Sequence, residues 1–214
     1  MSERPGIDQR VKKSLLLDPV DRVHGVRNIK IGRIGVINLF GAETPFIRPE
    51  DHAHHTASAE SFLKHAVEWL EANEGPVDIV VYLQCTDLFR DPMWIDVLVQ
   101  KLIDDPSLDS AFVAYPTHKN YWRKTDLGYE RITDVHYQPR QIREPLYRED
   151  TGLGCATRAS IIKQGRRLGD KVSILENHQE ASGIDIQNEF DLWLAETVMK
   201  KLLELGELNL PYLK

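Results

Sequence analysis

The chain has 214 residues, of which 42% are apolar and 28% charged, and a formal net charge of -6. That length and composition suit one soluble globular domain able to bury a real core, and the acidic balance argues against a general nucleic-acid binder, whose phosphate contacts need a basic surface. No apolar run is long enough to span a membrane, Met1 to Lys13 is too polar for a signal peptide, and a cysteine content of only Cys85 and Cys155 fits a reducing cytoplasm.

The first twenty residues are polar and then briefly apolar, ending at Asp18-Pro19, and Val20 to Val26 suits a short strand. Asn28 to Phe40 is ambiguous. Its Ile29, Ile31, Ile34, Val36 and Ile37 favour a strand, and Gly32 and Gly35 each weaken a helix by ~1 kcal/mol relative to alanine, yet Gly41 has the place of a helix C-cap. Phe62, Leu63, Ala66, Val67, Trp69 and Leu70 have helical spacing, and Gly75-Pro76 ends that helix. The run from Val77 to Leu83 is β-favouring and near-continuously apolar, as expected of a strand covered on both faces. Ile95, Leu98, Leu102 and Ile103 form the next helical stripe, and Ala111 to Tyr115 reads as a strand stopped by Pro116. After an irregular segment, Leu153 to Thr157, Ile161 to Gly165 and Val172 to Leu175 read as strand, short helix and strand. Phe190, Leu194, Val198 and Leu202 mark a final amphipathic helix. Strands alternating with helices predict a three-layer α/β fold in one domain over residues 1–214.

Three places carry chemistry. In open α/β sheets, ligands bind beyond the carboxyl ends of strands, so Gln84, Thr86 and Arg90 stand where a substrate is expected. Asp185, amid apolar neighbours before the last helix, has the chemistry of a Mg²⁺ ligand, since that ion takes one or two carboxylates plus phosphate oxygens. Asp185 or Asn188 can equally cap the helix, and spacing alone favours the cap. Residues 117–149 form a long lapse in the pattern, with seven Lys/Arg against five Asp/Glu in an otherwise acidic chain. A segment of that length is functional, packs on another chain, or is a solvated β-excursion. The run Asp51-His52-Ala53-His54-His55 lacks a second ligand cluster and reads as solvated surface rather than a metal site.

Several segments, in order, resemble the acylneuraminate cytidylyltransferases, which activate sialic and related nonulosonic acids as CMP-sugars. Phe40 to Pro49, FGAETPFIRP, is similar to the family's "YGA-x-x-PF-x-RP", and Leu83 to Arg90, LQCTDLFR, to its "LQPTSPLR". Arg140-Gln141, Pro145 and Tyr147 to Gly152 are similar to "RQ…P…Y-R-x-N-G". Ser182 to Asp191 is similar to "SIDIDTEED", and Leu194-Ala195-Glu196 to the "AE" of the closing helix. The resemblance runs from about Val20 to the C-terminus. It implies an α/β/α nucleotidyltransferase (Rossmann-like) fold with a mainly parallel sheet, and a protruding arm at 117–149 that makes a homodimer and completes the partner's sugar site.

The implied reaction transfers CMP from CTP to a nonulosonic acid and releases pyrophosphate in the cytoplasm. Asp185 would hold Mg²⁺ and, with Arg90, serve catalysis. Gln84, Thr86, Lys119, Arg140, Gln141, Tyr147 and Arg148 would bind substrate, the basic and amide side chains suiting a carboxylate. Nothing before Val20 is similar to the family's phosphate loop "IPAR-x-GSK-x-x-x-x-KN". The "STD" strand end is missing, Gln187 replaces the second aspartate of "DID", and Thr151 stands where the family has Asn. Since each hydrogen bond to a charged group contributes ~1.5–3 kcal/mol, such departures weigh on CTP binding. The alternative expectation is a non-catalytic relative that binds a sugar acid or serves as an assembly subunit.

Overall fold

The computed structural model describes residues 43–53, 57–133 and 138–207. The expected strand at Val20 to Val26, the segment Asn28 to Phe40, and His54 and His55 lie outside them.

Helix α1 spans Ala59–Asn73, its N-terminus capped by Ser58, whose Oγ accepts from the Ser61 amide at 3.2 Å. Gly75, at φ 117°, lets the chain turn out of the helix where a side chain would be strained. Strand β1, Ile79–Tyr82, follows, then α2, Met93–Asp104, whose first turn is held by Asp91 Oδ1 accepting from the Met93 amide at 2.9 Å. Strand β2 is Ser110–Thr117, and the arm contains the hairpin β3, Trp122–Thr125, and β4, Gly128–Arg131. Strands β5, Leu146–Glu149, and β6, Cys155–Arg158, lead into the short α3, Ala159–Ile162. Strand β7, Val172–Glu176, and helix α4, Glu189–Leu205, complete the order. Asn188 caps α4, accepting from the amides of Phe190 at 2.9 Å and Asp191 at 3.1 Å.

The main sheet has the order β1-β6-β2-β5, with β7 on the other side of β2. β1, β2 and β7 run one way and β6 and β5 run against them, so the majority direction is parallel although only β2–β7 is a parallel pairing. Side chains alternate between two faces, and each face is covered. Tyr82, Phe112, Ala114 and Cys155 meet Leu63 and Val67 of α1 and Ile162 of α3. Ala111, Val113 and Ala156 meet Leu98, Val99 and Leu102 of α2. This is the expected three-layer α/β/α arrangement, with every layer supplied by an apolar stripe legible in the sequence.

One boundary differs from expectation. Pro116 does not stop β2 but lies within it, paired with Tyr147 of β5. Val113 exchanges hydrogen bonds with the β5–β6 side, and the Ala114 carbonyl accepts from Asn177 on the β7 side. By alternation the missing N–H of Pro116 faces the β7 side, where the ladder has already ended at Ala114–Glu176. No sheet hydrogen bond is lost, so proline is tolerated there. Among the described residues no helix is long and apolar enough to cross a membrane.

Candidate functional site

Strands β5 and β6 lie along the same edge of β2 and behave as one strand interrupted by a bulge. Ala114 pairs with Glu149, and Phe112 with Cys155, so the five residues 150–154 stand opposite Val113 alone. The Val113 amide donates to the Gly154 carbonyl and its carbonyl accepts from the Asp150 amide, both at 3.0 Å. Bulges of this kind re-aim side chains. Here the bulge crosses to the end of β1, where the Gln84 amide donates to the Gly152 carbonyl at 2.8 Å. Contact is close enough that a Cβ on Gly152 would lie 1.9 Å from Asp87 Oδ2 and 2.9 Å from Gln84 Oε1. Only glycine leaves both side chains where they are.

The third wall comes from the segment before α4. Asp185 pairs with Asp87 as an isolated antiparallel bridge, and the Ile186 amide donates to the Thr86 carbonyl at 3.1 Å. The helix cap expected from Asp185 or Asn188 is Asn188, which leaves the Asp185 side chain free of that role. Together these three segments enclose a cleft of about 300 Å³ lined by Gln84, Asp87, Arg148, Glu149, Asp150, Thr151, Gly152, Ser182, Gly183 and Asp185.

Its electrostatics are unusual for a surface cleft. Burial, then the Asp185 charge, push the Asp87 carboxyl from an ordinary 3.8 to about 6. Arg90 and Arg148 pull the other way, and Asp150 adds to the rise. Asp185 Oδ1 and Thr86 Oγ1 are buried without a hydrogen-bond partner among the described residues. Asp185 Oδ2 accepts from Gln187 Nε2 at 2.5 Å. Two facing carboxylates with repelling charge and an orphaned oxygen fit a hard divalent cation, which relieves both. No group of three His, Cys, Asp or Glu among the described residues is placed to hold an ion by itself. Mg²⁺ held by this pair would need water and phosphate oxygens as its other ligands.

The structure brings Gln84, Arg148 and Asp185 of the expected site residues into the cleft wall. Thr86 stands beside them, tied through its backbone to Ile186. Arg90 Nη2 donates to the carbonyls of Gln84 and Asp87, the latter at 2.8 Å, and so fixes the turn that presents them. Lys119, Arg140, Gln141 and Tyr147 do not line the cleft of their own chain. Lys119, Arg140 and Gln141 are exposed on the arm, and Tyr147 donates its hydroxyl to Glu176 at 2.7 Å. Asp87 was not singled out from sequence, although it lies inside the LQCTDLFR segment, because the resembled motif has serine there. Its signal was a carboxylate in the loop that leaves the strand's carboxyl end, five residues after Tyr82. The role of Gly152 was invisible without the bulge.

No protein-family model and no curated protein sequence matches the chain. Solved structures share its fold. A CMP:2-keto-3-deoxy-manno-octonic acid synthetase complexed with CTP is 16% identical over 78% of this chain and 76% of its own, with a TM-score of 0.53. The 4-diphosphocytidyl-2C-methyl-D-erythritol synthase of Anaerococcus prevotii is 11% identical over 78% of this chain and 74% of its own, with a TM-score of 0.50. The likeness establishes the three-layer α/β/α fold that the sequence led us to expect, shared with these two proteins.

Proposed function

We propose that this chain is a cytidylyltransferase that transfers CMP from CTP to a nonulosonic, sialic-type acid and releases pyrophosphate. The observation that carries this reading is the Asp87–Asp185 pair, set at the end of β1 in a fold shared with a CTP-bound CMP-sugar synthetase. The acceptor's anomeric hydroxyl oxygen forms a bond to the α-phosphorus, the α–β bridging P–O bond breaks, pyrophosphate leaves and the hydroxyl proton passes to solvent. Asp185 and Asp87 would hold Mg²⁺, which screens the triphosphate charge when bound. The chain's own contribution is placement. Arg90 holds the strand-end turn, Gln84 offers an amide into the cleft, and the bulge at 150–154 fixes the opposite wall. Catalysis of this type depends on such positioning.

The arm supports a homodimer. Trp122, Leu127, Tyr129 and Ile142 are exposed on it, and Lys119, Arg140 and Gln141 do not line the cleft of their own chain. In a dimer these basic and amide groups complete the neighbouring copy's acceptor site. One observation favours the non-catalytic reading: the Gln187 amide occupies Asp185 Oδ2, in the place where the resembled motif supplies a second carboxylate.

The test is pyrophosphate release from CTP and Mg²⁺ with sialic, legionaminic, pseudaminic and 3-deoxy-octulosonic acids. Turnover with one of them, lost in Asp185→Ala, is expected. No turnover with any, together with no CTP binding, overturns the enzyme and leaves the sugar-acid binder.

A further inference from the structure

Arg148 and Asp150 are two residues apart in an extended segment, so their side chains leave the same side of the chain. Arg148 Nε donates to Asp150 Oδ1 at 2.7 Å and Nη2 donates to Oδ2 at 2.9 Å. This is the two-bond fork by which arginine takes a carboxylate, and both residues line the cleft. The other edge of the guanidinium is closed as well. A Cβ built on Gly183 falls 3.3 Å from Nη2, 3.4 Å from Nη1 and 3.8 Å from Cζ. Both terminal nitrogens being nearer than Cζ, this point lies off the Nη1–Nη2 edge rather than over the face. The Gly183 backbone therefore stands across that edge. On one face, the Tyr115 ring centre is 5.2 Å from Cζ. Asp150 is the more sheltered partner, its side chain 11% exposed against 47% for Arg148.

We infer that Asp150 occupies the carboxylate seat of Arg148 from within the chain, so that an acid acceptor binds there only by displacing it. The inference rests on the proposed reading of the cleft as an acceptor site and deepens it: the Arg148–Asp150 pair sets which acceptors are admitted. An acceptor carboxylate has to match the internal one in charge and fork geometry, and a neutral sugar leaves the pair closed. The chain thus carries its own competitor for the group that distinguishes sugar acids from sugars. The displaced Asp150 carboxylate is left among Asp87, Glu149 and Asp185, which adds to the selectivity against weak anions.

The experiment follows the Arg148 Nε–H resonance by NMR in the full chain, with pyruvate as probe because its carboxylate adjoins a carbonyl. In wild type the resonance is expected to respond weakly. In Asp150→Asn it should respond with an apparent affinity higher by a few-fold, up to about fivefold, the scale set by removing one partly exposed ion pair. Arg148→Lys in the Asp150→Asn background, read by backbone amides of the bulge, should lose that gain. Asp150→Ser serves as the second variant. Equal pyruvate response in wild type and both variants overturns the inference, and so does failure of both variants to fold, since Asp150 is then structural. CTP binding measured by calorimetry on the same samples separates the two readings: its absence counts against cytidylyl transfer, while the pyruvate result decides the pair.

Discussion

Asp87 is held in its ionised form at a cost to the fold. Its carboxyl, raised by burial and by Asp185, titrates at about 6 in the folded chain against an ordinary 3.8. A raised carboxyl contributes stability that is fully present below about pH 4 and is lost as pH rises through about 6, because the folded state keeps the proton longer than the unfolded one. Asp87→Asn is therefore expected to stabilise the metal-free protein by about 1 kcal/mol at pH 7, after discounting for solvent screening, and to flatten the stability profile between pH 4 and 6. Denaturant unfolding across that range checks this; an Asp87→Asn protein less stable than wild type at pH 7 contradicts it. Destabilising charge retained at a cleft is the usual mark of a functional group. This residue was the hardest to see in the sequence. Its environment comes from burial first and then from Asp185, 98 positions away in the chain, and no local spacing reports that pairing.

At the scale of elements, the bulge at 150–154 makes the site. Helices and strands were legible because their apolar periodicity is a local property: the stripes at Leu63–Val67 and Leu98–Leu102 are the ones that cover the sheet. The bulge was not legible, since five residues opposing one is a statement about Val113 as much as about the segment itself. Pro116 failed as a strand terminator for the same reason, its fate depending on where β7 ends. Gly152→Ala tests the element directly. The atoms a methyl would meet are the ends of the Asp87 and Gln84 side chains, which can swing away, so the fold should survive with a melting temperature within a few degrees of wild type. Both groups are then displaced from the cleft, and affinity for Mg²⁺·CTP should fall on the order of tenfold or more. Unchanged CTP affinity in a folded Gly152→Ala protein contradicts the geometry.

For the whole molecule, the two apolar layers and the sheet between them followed from residue patterns, whereas the direction of β6 against β1 and β2 did not. An apolar strand has the same composition whichever way it runs. The arm was legible only as a lapse in pattern, and its hairpin of exposed Trp122 and Tyr129 gives that lapse a shape. Sedimentation at micromolar concentration is expected to show a dimer, and Trp122→Ala with Tyr129→Ala is expected to shift it toward monomer. A wild-type monomer contradicts the assembly and would leave Lys119, Arg140 and Gln141 without a site to complete.

In the proposed function, Asp87 and Asp185 together hold the metal of a bound nucleoside triphosphate. Mn²⁺ in place of Mg²⁺ makes this directly visible, by electron paramagnetic resonance titration of the protein with Mn²⁺ and CTP. A bound Mn²⁺ signal that requires CTP is expected, and it is expected to be lost in Asp185→Ala and in Asp87→Asn alike. A Mn²⁺ signal that persists in both variants, or none in the wild-type protein at saturating CTP, would contradict that role.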